Sequence, residues 1–503
     1  MIEEREDSPP AAPAARPVLV LMSGRSIGFV ASFFIPVALA RIFDQAEFGT
    51  YKQFFLIATT LYWIGQFGMA ESLYYFLPQA PRAGARYVTN AALALLGGGL
   101  ACLVAMELGG GVMARWLGNS ELSPYTSLLG LYLLFWLTSA ALEIVMIARK
   151  RYRWASWSYA LLDLLRAGLL VVPALVAPHV EWVLMGAVMF AAIRCAVTVW
   201  YFRWEFGGAL RPDGALLRLQ LAYAVPFQFS GLVEIVQANL HQYAVAHYFD
   251  AATFAIYSVG CLQIPLVEVA FGSVVNVMMV RMAEELRDGR GTRALAIWHD
   301  SSRKLALLFF PLTVLLVVTA RPIVVFLFTE RYAASTPIFM VSSLSLLLAV
   351  LMVDGVLRVY AETRFLFALN VARLLITLTL IGALVGRFGL VGAILATVIA
   401  AAAAKAIGLA RIGVLMKVKT GELLPWRNFA KILGAALAAA GPALLARHAF
   451  EPAALASLVV AGFVYGAAYL AAVWWLGALS ADERLALRGP FSHWGSSVAG
   501  PRA

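Results

Sequence analysis

Phe43-Asp44-Gln45-Ala46-Glu47-Phe48-Gly49-Thr50-Tyr51 returns as Phe249-Asp250-Ala251-Ala252-Thr253-Phe254-Ala255-Ile256-Tyr257, the pattern F-D-x-A-x-F-x-x-Y at an offset of 206 residues. Three further anchors keep that offset to within one residue. Ser23-Gly24 matches Ser230-Gly231, Asp163-x-x-Arg166 matches Asn370-x-x-Arg373, and Met185-Gly186-Ala187-Val188 matches Val391-Gly392-Ala393-Ile394. Self-similarity over this distance decides the architecture, because repeated halves of a chain fold alike.

The residues between the anchors are apolar. Of 503 residues, 62% are hydrophobic and 13% are charged, whereas a soluble domain carries about 25% charge. This composition points to an integral membrane protein and excludes most soluble enzymes. Apolar runs near 18–40, 53–77, 87–108, 125–148, 157–177, 180–202, 221–245, 254–280, 305–320, 336–357, 365–385, 388–413, 429–447 and 454–479 predict about fourteen helices across a ~30 Å hydrocarbon core. Residues 1–17 and 480–503 read as cytosolic tails, the first disordered and too acidic for a signal peptide.

Basic residues orient these spans. With the N-terminus in the cytosol, 27 of the 39 Lys and Arg residues fall in inside loops and tails, 7 fall outside, and 5 lie within spans. That bias predicts both termini in the cytosol. The net charge of +11 then reports topology, and no nucleic-acid partner is expected. The run Arg149-Lys150-Arg151-x-Arg153 is topological first, with contact to anionic lipid headgroups a weaker addition.

Six spans separate the repeated anchors, so the halves share one orientation. The expected fold is an all-α polytopic membrane protein with two six-helix lobes, related by a parallel pseudo-two-fold axis, plus two C-terminal helices. Its divisions are an N-lobe at 18–203 (helices 1–6), a cytosolic linker at 204–220, a C-lobe at 221–415 (helices 7–12), and helices 13–14 at 416–479. Parallel-repeat transporters hold substrate between such lobes near the midplane, so transport is the function class that this reading supports.

Charged residues inside spans face a cavity or a partner, since a cation at the bilayer centre costs about 2.5–3.5 kcal/mol. Arg25, flanked by Gly24 and Gly28, is the first candidate for substrate contact, followed by Arg373 and Arg166 at equivalent repeat positions, then Arg194 and Lys405. Arg suits bidentate contact with phosphate. A local ion pair with Asp163 is the plainer account of Arg166, and Arg194 and Lys405 are close enough to span ends to snorkel. Ser230, Glu234, Gln237 and His241 form one stripe on helix 7, and Glu268 and Asn276 are cofacial on helix 8. Gln237, His241 and Asn276 are candidate sugar contacts, although His241 reads more simply as a satisfied interface residue. Glu234 and Glu268 are candidates for H+ or Na+ coupling.

The chain has no G-x-x-x-x-G-K-[ST], no H-E-x-x-H and no Cys/His cluster around its 3 cysteines. No ATPase motor, metal or other cofactor is expected.

The segments L-A-R-I-F-D-Q-A-E-F-G-T-Y from Leu39, H-Y-F-D-A-A-T-F-A-I-Y from His247, R-P-I-V-V-F-L-F-T-E-R-Y-A-A-S-T-P from Arg321 and G-R-F-G-L-V-G-A-I-L-A-T from Gly386 resemble the polysaccharide-transport branch of the multidrug/oligosaccharidyl-lipid/polysaccharide exporter (MOP) superfamily. The resemblance spans roughly residues 18 to 415. It implies a flippase carrying a polyprenyl-diphosphate-linked glycan across the bacterial inner membrane for surface polysaccharide biosynthesis, with membrane lipid and polysaccharide assembly proteins as partners. A lipid II flippase and a cation-coupled drug exporter of the same superfamily are the alternatives, and a membrane O-antigen polymerase or ligase is the rival from the enzyme class.

Overall fold

The computed structural model describes residues 15–449 and 454–479, so the tails at 1–14 and 480–503 lie outside the described residues. Among the described residues every regular element is helical. Two compact units divide after Ser258.

The first unit runs α1 (Ala15–Ile42), α2 (Gln45–Gly65), α3 (Met69–Gln79), α4 (Gly84–Trp116), α5 (Thr126–Thr138), α6 (Leu142–Ala148), α7 (Tyr152–Val176), α8 (Val180–Phe206) and α9 (Gly214–Tyr248), with most of α10 (Ala251–Gly260). The second continues with α11 (Pro265–Arg287), α12 (Gly291–Val318), α13 (Ala320–Phe328), α14 (Thr336–Ser343), α15 (Ser345–Ala349), α16 (Val353–Val359), α17 (Thr363–Met416), α18 (Trp426–Ala449) and α19 (Ala454–Trp475).

Both copies of the repeated motif start a helix. Asp44 accepts a hydrogen bond from the Glu47 amide at 2.8 Å, and Asp250 accepts one from the Thr253 amide at 2.8 Å. Each aspartate thereby satisfies a donor that the first turn leaves over. The flanking aromatic pairs, Phe43 with Phe48 and Phe249 with Phe254, hold the N′ and N4 positions of a hydrophobic staple. Hydrogen bonds to Thr253 hold the Asp250 carboxyl below its usual range.

Ten helices among the described residues are long and apolar enough to cross a membrane, or eleven if the bent pair Gly214–Pro226 and Gly231–Tyr248 is one span. This is a multi-pass membrane protein. Length alone undercounts its crossings at α17, whose 54 residues would reach about 81 Å as a straight rod. At Gly389 the backbone turns to φ 56°, ψ −134°, outside the helical region. A side chain at Gly392 would collide with the Leu384 carbonyl, so the chain folds back into two legs, as the expected spans 365–385 and 388–413 require.

Other expected spans are interrupted. The run 53–77 breaks between α2 and α3, where Phe67 and Gly68 have φ of 49° and 68°. A Cβ at Gly68 would lie 2.6 Å from the Ala224 carbonyl oxygen, so glycine there permits both the turn and the close approach of α9. The run 254–280 breaks between α10 and α11. The polar connection at 281–304 is largely helical, because α11 runs to Arg287 and α12 starts at Gly291. Its charges pair locally: Arg290 with Glu285, and both Arg303 and Lys304 with Asp300. Polarity marks where a helix leaves the apolar layer, not where helical hydrogen bonding stops.

The repeat groups helix 7 with the second lobe, and in the structure α9 packs against α2, α3 and α4 of the first unit. Gln228 donates to the Trp63 carbonyl, Asn239 to Thr60 Oγ1 at 3.2 Å, and Tyr243 to the Leu56 carbonyl at 3.4 Å. The start of α9 is tied to α4 by two bonds between Asn90 and the Asp213 backbone, at 2.9 and 3.0 Å. Asp213 also caps α9, and the Leu216 and Ala215 amides with Arg86 hold its carboxyl below the usual range.

Candidate functional site

The first unit brings Arg25, Arg166 and Arg194 against side chains of other helices. Helices α1 and α7 approach closely because Gly24 lies on the Ser156 carbonyl and Gly28 on the Asp163 carboxylate, where any Cβ would collide. That proximity delivers Arg25 to Tyr159. Its Nη2 donates to the Tyr159 hydroxyl at 3.1 Å, and the guanidinium carbon lies 5.0 Å from the ring centroid. Arg25 makes no ion pair among the described residues, and its side chain is exposed in this structure.

Arg194 is built differently. On α8, its Nη2 donates to Glu143 Oε2 of α6 at 2.5 Å, while Ser158 of α7 donates to Glu143 Oε1 at 2.9 Å. Glu143 is only 3% exposed, so the pair locks three helices together. Arg166 stays on α7 with its guanidinium 5.8 Å from the Phe55 ring centroid. It forms no ion pair with Asp163 among the described residues, so the local pair proposed from spacing is replaced by a cation–π contact.

In the second unit Lys405 donates to Asp354 Oδ2 at 2.6 Å. The two ion pairs share a spacing: partners are 51 residues apart in each, and Glu143 to Asp354 and Arg194 to Lys405 are both offsets of 211, not the 206–207 of the repeated anchors. Helices α6 and α16, which carry the acids, are each 7 residues long. Arg373 is half-buried on the first leg of α17, and Glu268 and Asn276 are exposed on α11.

The α9 stripe divides. Gln237 and His241 are buried, and His241 Nδ1 meets the Tyr257 hydroxyl at 2.6 Å, which makes it a helix-to-helix contact within the first unit. Glu234 is exposed. The side chain of Ser230 lies outside the described residues.

Residue spacing left several of these groups unnoticed: Tyr159, Ser158, Glu143, Asp354 and Glu71. Glu71 opens α3 beside the break, and its Oε2 is buried without a hydrogen-bond partner among the described residues. The signal was available for the acids, since a carboxylate in an apolar span is as costly as an arginine. No cluster of three or more metal-ligating side chains occurs among the described residues.

The fold is similar to that of solved MOP superfamily transporters. The inward closed conformation of the lipid II flippase MurJ superposes with a TM-score of 0.66 at 14% identity, covering 91% of this chain and 98% of that one. An inward-facing multidrug resistance MATE transporter gives 0.58 at 14% identity, covering 80% and 99%. A MOP superfamily transporter from Pyrococcus furiosus gives 0.54 at 13% identity, covering 80% and 95%. No curated protein matches the sequence. The model of the polysaccharide biosynthesis protein family matches residues 38–337, and the chain belongs to that family.

Proposed function

We propose that the protein is a flippase that moves a lipid-diphosphate-linked oligosaccharide across the bacterial inner membrane by alternating access, with both termini in the cytosol. Arg25 carries this reading. Arg194 and Lys405 have their charge answered by carboxylates, whereas Arg25 is held in place by an aromatic hydroxyl and ring that leave its charge unmatched. A positioned cation of that kind suits an anionic ligand such as a diphosphate. Membership of the polysaccharide biosynthesis family supports a glycan cargo, and the greater share of the chain covered by a lipid II flippase than by a multidrug transporter supports a lipid-linked one.

Arg373 and Arg166 are secondary contacts in this reading, and Gln237 and Asn276 are sugar contacts. Glu234 and Glu268, both exposed on their helices, would exchange H+ or bind Na+. The partners are membrane lipid, the glycan carrier and polysaccharide assembly proteins.

Surface glycan in cells lacking their own flippase tests the reading, with membrane levels of each variant measured alongside. A charge-assisted contact contributes roughly 1.5–3 kcal/mol, so Arg25→Ala should lower complementation by about one to two orders of magnitude. Arg25→Lys, which keeps charge but loses the planar fork, should fall between parent and Ala. Equal complementation by all three would remove Arg25 from the transport path.

A further inference from the structure

The turn between α6 and α7 ends α6 with a Schellman motif: the Arg151 amide donates to the Met146 carbonyl at 2.7 Å and the Lys150 amide to the Ile147 carbonyl at 2.9 Å. Such a motif needs one left-handed residue, a place that glycine fills at least cost. Here it is Lys150, at φ 60°. The second unit builds the same turn after α16, with Ala361 at φ 55° and amides of Ala361 and Glu362 donating to Arg358 and Leu357. The left-handed strain is thus common to both turns, and the fold has no need of a cation at this position; only the first turn places one there.

The tryptophans around Lys150 have no counterpart at the second turn. Trp154 of α7 stacks on Trp204 of α8, with centroids 5.3 Å apart, and Trp204 on Trp200, 6.4 Å apart. All three are 43–54% exposed. Glu205 is engaged by Arg149 at 2.9 Å and Arg151 at 3.5 Å. Lys150, Arg153 and Arg203 are exposed and form no ion pair among the described residues. At the corresponding place in the second unit, Glu362 is paired with Arg411 at 2.7 Å and Arg358 and Arg364 are exposed, but Phe365, Arg411 and Leu415 stand where the first unit has its three tryptophans.

We propose that Lys150, Arg153 and Arg203, with the Trp154, Trp200 and Trp204 ladder, form a binding site for the phosphate headgroup of an anionic bilayer phospholipid. The tryptophans set the depth, since indole rings lie at the boundary between headgroups and acyl chains. The three unpaired cations then stand at phosphate level. A general belt of tryptophans or the inside bias of basic loops would explain either set of residues alone; at this turn the two sets meet. The site acts independently of the transport reading, because its ligand belongs to the bilayer.

The test uses the full-length protein in nanodiscs of phosphatidylcholine doped with brominated phosphatidylglycerol or brominated phosphatidylcholine, read by quenching of tryptophan fluorescence. Because the chain has 13 tryptophans, the signal is taken as the difference between the parent and a Trp154→Phe, Trp200→Phe, Trp204→Phe variant. The parent should be quenched preferentially by the anionic lipid. Each cation lost should lower that preference about fivefold, the effect of one basic residue at a charged surface. Lys150→Gly is the decisive single change, because glycine suits the left-handed position: thermal stability should hold or rise while preference falls. The triple variant Lys150→Gly, Arg153→Gln, Arg203→Gln should abolish it. Unchanged preference in the triple variant, or none in the parent, overturns the proposal. So does displacement of the brominated phosphatidylglycerol by a short-chain prenyl diphosphate, which would place the patch on the path of a lipid-linked cargo instead.

Discussion

The two units solve one problem with different side chains. In the first, Arg194 and Glu143 meet with side-chain exposures of 15% and 5%, reinforced by Ser158. In the second, Lys405 and Asp354 meet at 16% and 48%. The geometry, a short helix bonded to a cation 51 residues later, is common to both, while the chemistry is not. A longer acid with a forked guanidinium suits a sealed position, because both can satisfy several hydrogen bonds at once. The half-exposed aspartate is less enclosed and tolerates a point charge. The difference teaches that one spacing can hold one kind of contact with different residue types, and that burial sets how much each contact contributes.

The comparison can be broken by mutation. Glu143→Gln leaves Arg194 in a buried site with no counter-charge, and should cost about 3–5 kcal/mol of stability, read as a lower unfolding temperature in detergent. Converting the pair together, Glu143→Gln with Arg194→Met, removes the stranded charge and should recover most of that loss. If the double variant is no better than the single one, the arginine was not held by its charge.

Asp354→Asn should cost less, about 1–3 kcal/mol, since its acid is half-exposed while Lys405 is as enclosed as Arg194. Equal destabilisation by Glu143→Gln and Asp354→Asn would show that burial does not separate the units.

The smallest expected effects belong to the helix caps. Asp44→Ala and Asp250→Ala should each cost about 1 kcal/mol, with the larger loss at Asp250, because both make a 2.8 Å bond to an amide and Asp250 also bonds the Thr253 side chain. A larger loss at Asp44 would mean that the staples around them, not the caps, carry the difference.

Coupling separates the two exposed acids in the same way. Glu234→Gln retains shape and hydrogen bonding while removing the titratable charge. It should flatten the dependence of transport on pH or Na+ in proteoliposomes more than it alters substrate binding. A profile as steep as that of the parent would leave Glu234 without a coupling role.

By itself the sequence determined that the chain crosses a membrane many times and how two of its helices begin. Burial of apolar surface needs only a run of the right length, and a cap needs only an aspartate beside its own first turn. Both are local, so F-D-x-A-x-F could be read at Phe43 and again at Phe249. The break in α17 was legible for the same reason, in a Gly-rich step at 386–389. What the tertiary structure decided is which charges meet. Arg25, Arg166 and Arg194 look alike as arginines in apolar spans, yet one rests on Tyr159, one lies over Phe55 and one is bound to Glu143. Their partners lie on other helices, brought within reach by glycines such as Gly24 and Gly28 and by the packing of α6 against α7. Spacing along a chain fixes which residues share a face of one helix, whereas a contact between helices depends on the register in which they pack.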